Sequence, residues 1–160
     1  MEGGVAPGAS PEGGTAKRRK RAHAPRPAQL TLEAYRGMGY IAGGVEKYVA
    51  AIHKRIDLFG RTDIEAYMPL GPTTWHLQAC GAGEALKHAR KAFASGLCGW
   101  LLRPSRRFAI VEWRKMGKRG ERKTWVGTVH EALGPESEAR IEKLYDMDRH
   151  GRTLDKGQVA

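Results

Sequence analysis

The fold turns on one stretch, Glu84-Ala85-Leu86-Lys87-His88-Ala89-Arg90-Lys91-Ala92-Phe93-Ala94-Ser95-Gly96. It opens with an acid suited to a helix's first turn, continues in strong helix formers, and ends in Ser-Gly, a stop signal. Leu86, Ala89, Phe93 and Leu97 recur at helical spacing as a buried line, and Lys87, His88, Arg90 and Lys91 fall off it. The stretch therefore predicts an amphipathic helix with a basic outer face.

Beyond Gly99 the period changes to alternation. Residues 100–102, 108–113 and 124–130 read as three strands, joined by an Arg103-Pro104-Ser105-Arg106 turn and a Gly117-Lys118-Arg119-Gly120 turn. Upstream, residues 30–40 are broken by Gly37 and Gly39 and read as a brief helix or turn. Residues 45–59 carry Val45, Tyr48, Val49, Ile52, Ile56 and Phe59 at spacings of three and four, which predicts a helix. Thr62 or Asp63 caps a short helix at 64–68, and Thr73 or Thr74 caps another reaching Cys80. Pro135 opens a last helix carrying Ile141, Leu144 and Tyr145, closed by Gly151. The expected fold is α+β: a small helical bundle with a two- or three-stranded antiparallel sheet over residues 30–150, flanked by a disordered basic arm at 1–29 and a tail at 151–160.

The formal net charge is +11, a balance that favours polyanionic partners. Its placement is informative. Lys17-Arg18-Arg19-Lys20-Arg21 is an unbroken run, and residues 86–125 hold twelve cations against Glu112 and Glu121. Residues 136–156, with six acids and five bases, read as an ordinary solvated surface. The expectation is that the central cations gather on one side of the molecule and meet a nucleic acid, DNA before RNA.

In order, the elements resemble a winged helix-turn-helix domain over residues 45–129. That resemblance implies a recognition helix at 84–94 that places Lys87, Arg90 and Lys91 in the major groove, and a wing at 100–113. Arg103, Arg106 and Arg107, with Lys118, Arg119 and Arg122 on the second turn, are expected on flanking phosphates, and Lys17, Arg18, Arg19, Lys20 and Arg21 on a neighbouring groove. The chain then acts as a transcription regulator or a replication or packaging accessory. Two alternatives stay open: an RNA-binding or ribonucleoprotein component whose Trp100, Trp113 and Trp125 stack bases on a sheet, and a protein-interaction adaptor with an incidental basic surface.

Catalysis is not expected. The histidines are scattered, and no nucleophile-elbow, zinc-protease, phosphate-loop or dinucleotide motif is present. Glu65 and His76 are the pair that a nuclease or other hydrolase site would draw on. Cys80 and Cys98 have no metal-ligand spacing, so neither a metal nor a cofactor is expected. No run of eighteen apolar residues occurs, and no membrane partner is expected. A homodimer stays open, and the expected location is the cytoplasm or nucleoid, or the nucleus if the host cell is eukaryotic.

Overall fold

The computed structural model describes residues 24–45, 47–49, 54–56, 62–97, 103–134 and 139–155. The chain order is α1 (Pro27–Gly37), β1 (Ile41–Gly44), β2 (Lys47–Val49), β3 (Lys54–Ile56), β4 (Ile64–Tyr67), β5 (Thr74–Gly81), α2 (Ala85–Ala92), β6 (Arg106–Met116), β7 (Thr124–Leu133), β8 (Arg140–Asp148) and β9 (Thr153–Leu154). Seven strands form one curled sheet in the order β1-β4-β5-β6-β7-β8-β9, and β2 pairs with β3 separately. Neighbours in the large sheet are antiparallel except β5 and β6. A parallel pair needs a long crossover, and α2 supplies it.

Strand alternation sends side chains to two faces, each covered by a helix. Ala109, Val111 and Trp113 of β6 pack with Leu30, Ala34 and Tyr35 of α1, and Leu77, Val129 and Met147 join that core. Phe108 and Ile110 point the other way, to Ala85, Ala89 and Ala92 of α2 and to Phe93. On the α1 side the Trp113 indole lies on Gly127, its cross-strand partner, where a Cβ would come within 2.9 Å of the ring. The indole N–H donates to the Thr31 hydroxyl at 2.8 Å, and that hydroxyl donates to the Pro27 carbonyl at 3.0 Å. Every polar atom in this chain of bonds is thereby satisfied inside the core.

The winged-helix resemblance and the small helical bundle are both overturned. Residues 64–67 and 74–81, read as two short helices, are strands β4 and β5. Strand β5 is central and has a helix over each face, so Leu77, His76 and Cys80 are all buried and the alternation that marks a strand is lost. Within 45–59 the described residues pair as β2 and β3, with Lys47 opposite Ile56. The final helix is β8, for a specific reason. Between Val129 and His130 the β7–β8 register slips, so Leu144 is an extra residue between Lys143 and Tyr145. Such a bulge shifts the face parity in mid-strand, and Ile141, Leu144 and Tyr145 then imitate helical spacing. The expected helix at 84–94 does form, as α2, and the strands at 108–113 and 124–130 are the middle of β6 and the first seven residues of β7. The expected strand at 100–102 lies outside the described residues. Helix α1 already begins at Pro27, and β9 ties Thr153 and Leu154 into the sheet. Among the described residues no helix is long and apolar enough to cross a membrane.

Candidate nucleic-acid interface

Met116 and Thr124 are the last cross-strand pair of the β6–β7 hairpin, and the loop between them exposes Lys118, Arg119, Arg122 and Lys123. Gly117 (φ 145°) and Gly120 (φ 92°) supply backbone angles that L side chains rarely adopt, which lets this loop reverse direction. Beside the hairpin stem runs the β8–β9 turn, built on Asp148. Its carboxylate accepts from the His150 N–H at 2.8 Å, the Arg152 N–H at 3.0 Å and the Arg152 Nε–H at 2.7 Å. Partial burial pushes the Asp148 pKa up, but the donors from Arg152 and His150 together outweigh it and hold the carboxyl below its usual range.

Helix α1 fastens this turn from below. A Cβ on Gly37 would lie 2.1 Å from the His150 carbonyl oxygen, and one on Gly151 would lie 2.2 Å from that of Ala34. Only glycine permits two such close backbone contacts. Arg149 adds an ion pair to Glu33 of α1 at 3.0 Å.

Between hairpin stem and turn opens a cleft of about 460 Å³ on the α1 side of the sheet. Five cations line it, Lys115, Arg122, Lys123, Arg149 and Arg152, against one carboxylate, Asp148, which Arg152 already engages. Among the described residues no carboxylate pairs with Lys115, Arg122 or Lys123. The Lys115 ammonium lies 5.0 Å from the centre of the Trp125 ring, a cation–π contact that holds the charge at the cleft wall. Trp125 itself packs on the α1-side core. Pro25 also lines the cleft. The run Lys17-Arg18-Arg19-Lys20-Arg21 lies outside the described residues.

No protein family, curated protein or solved structure matches this chain. The site must be read from its own geometry.

The expected binding residues do not form one surface. Lys118, Arg119 and Arg122 are at the hairpin end of β6, and Arg103 and Arg106 are at its start. Ten strand steps separate Arg106 from Met116, about 33 Å. Lys87, Arg90 and Lys91 are exposed on α2, across the sheet from the cleft. Arg107 is engaged within the fold: its Nε donates to Glu131 at 2.6 Å, a second nitrogen bonds the other carboxylate oxygen, and the guanidinium lies 4.8 Å from the Trp75 ring centre. Sequence reasoning missed Lys115, Lys123, Arg149 and Arg152 as a group. The first two flank the turn it did select; the last two were hidden in a stretch whose charges balance.

Glu65 and His76, the pair that a nuclease or other hydrolase site would draw on, are neighbours across β4 and β5. His76 Nδ1 is 3.4 Å from Glu65, but the imidazole is 1% exposed. Its pKa is lowered, by burial first, against the opposing pull of Glu65. Cys80 is buried, and its thiol is pushed up to about 12, again by burial first and then by Glu112, Glu84 and Asp63. Among the described residues no group of three His, Cys, Asp or Glu could hold a metal ion. A carboxylate that sequence reasoning weighed only as a helix cap, Asp63, accepts from Gln78 Nε2 at 2.8 Å and from the Ala79 N–H at 2.9 Å. It lines a second cleft, of about 300 Å³, with Arg26 and Gln29.

Proposed function

We propose that this protein binds nucleic acid, duplex DNA before RNA, by holding backbone phosphates in the cleft between the β6–β7 hairpin and the β8–β9 turn. One observation carries the reading: among the described residues five cations line the cleft, and three of them, Lys115, Arg122 and Lys123, have no carboxylate partner. Phosphate oxygens are the complementary chemistry, and such contacts supply affinity without reading bases. The Lys17-to-Arg21 run adds five more cations for the same polyanion.

Trp125 speaks for a backbone reader over a base-stacking one. One ring face is capped by Lys115 and the indole is partly buried against the core, so less π surface is left for a base. The reading places the protein where nucleic acid is, in the cytoplasm or nucleoid, or in a nucleus. Fluorescence anisotropy with a short duplex, the matching single strand and an RNA tests it. Duplex binding at least as tight as single-strand binding, with tryptophan emission barely changed, is the expected result. Tighter single-strand binding with strong quenching, or no binding to any of the three at low salt, contradicts it.

A further inference from the structure

We infer that the protein carries a second nucleic-acid surface, the outer face of α2, and that it uses the two surfaces to bridge two duplex segments. The inference rests on the cleft reading and goes beyond it.

The two basic surfaces are on opposite faces of one sheet. Trp125 and Lys115 of the cleft share the α1 side with Trp113, as their spacing of two along β6 and their pairing across to β7 require. Helix α2 is on the other side, with Ala85, Ala89 and Ala92 against Phe108 and Ile110. Its outer face presents Lys87, Arg90 and Lys91, all exposed. They stand at i, i+3 and i+4 on one helical stripe spanning about 6 Å, which matches about two successive phosphates of one strand.

Helix electrostatics accounts for part of this stripe: Arg90 and Lys91, in the last turn, suit the negative end of the helix dipole, and Glu84 at the N-cap suits the positive end. Lys87, one turn in from Glu84, is the cation that the dipole does not favour, and no acid is present between Ala85 and Ala92. Among the described residues no carboxylate pairs with Lys87 or Arg90. The charges of Lys87 and Arg90 are therefore directed outward without a carboxylate partner, as a polyanion contact requires.

One duplex could touch both surfaces only by turning back around the sheet edge. Sheet and helix together separate them by roughly 20 Å, and DNA resists bending over a persistence length of about 150 base pairs. A second segment meets α2 without that bend.

A capture experiment separates the claims. A duplex immobilised on beads is loaded with the full chain and then offered a labelled second duplex. The wild type should retain the label. Lys87→Gln/Arg90→Gln/Lys91→Gln should bind a single duplex within about threefold of wild type while losing at least tenfold of the capture. Glutamine keeps the helix and removes only charge, so equal melting temperatures confirm that the variant is folded. A wild type that binds one duplex yet captures no second overturns the bridge, and so does a triple variant that still captures, since bridging would then come from paired copies of the chain. A wild type that binds no duplex at all overturns the cleft reading, and the bridge with it.

Discussion

Gly151, Gly37 and Gly39 form a series in which backbone strain and close approach can be separated. Gly39 has φ +88° and open space where a Cβ would go, so Gly39→Ala pays left-handed strain alone, about 1 kcal/mol net of the entropy gained in the unfolded chain. Gly37 carries no such strain, but its Cβ would press on the His150 carbonyl at 2.1 Å. That contact must open by about 1 Å, and since the obstacle is backbone no rotamer relieves it; overpacking of this kind costs about 2 kcal/mol. Gly151, at φ +82° and 2.2 Å from the Ala34 carbonyl, has both faults, so Gly151→Ala should lose about 3 kcal/mol. At about 4 °C per kcal/mol for a domain of this size, thermal melts should fall by about 4, 8 and 12 °C for Gly39→Ala, Gly37→Ala and Gly151→Ala. If Gly151→Ala melts no lower than Gly39→Ala, α1 does not clasp the β8–β9 turn, and the cleft wall is not built as described.

Stability should also depend on pH in a fixed direction. His76, His88 and His130 have their pKa values lowered, burial being the largest cause for each, whereas the unfolded chain takes up these protons near pH 6.5. Their contribution is fully present above about pH 6.5 and is lost as pH falls through the folded values, so urea midpoints should drop from pH 7.5 to 5.5; a rise on acidification contradicts these environments. Arg107→Ala leaves Glu131, 8% exposed, without its guanidinium partner, and should lower the melting temperature while leaving the salt dependence of DNA binding unchanged. Thr128→Val removes the hydroxyl that donates to Asp146 at 2.6 Å and should cost about 1–2 kcal/mol in a denaturant titration, a loss that shrinks once Asp146 is protonated at low pH.

Part of this architecture was legible in the sequence. The basic crossover helix, the middle of β6 and the first part of β7 follow from local periodicity, because α2 has one buried stripe and the hairpin strands are rich in β-formers. What was hidden depends on long-range pairing. Strand β5 lost its alternation to burial on both faces, and the bulge at Leu144 gave β8 a helical period, so helices were expected where the chain has these two strands. The cleft was half legible. Arg122 was selected from its turn, but Arg149 and Arg152 reach the same site only because α1 fastens the β8–β9 turn beside the hairpin, a contact between residues more than a hundred positions apart. Counting charge along the chain found a basic protein; it did not find which cations face each other.

The most direct test is the salt slope of duplex binding for the wild type and for Arg122→Ala/Lys123→Ala. Each lost phosphate contact lowers the slope of log affinity against log salt by about 0.9, so the double variant should be shallower by about 1.8 at unchanged melting temperature. Equal slopes for the two proteins would mean that these cations touch no phosphate and that the cleft is not the binding site.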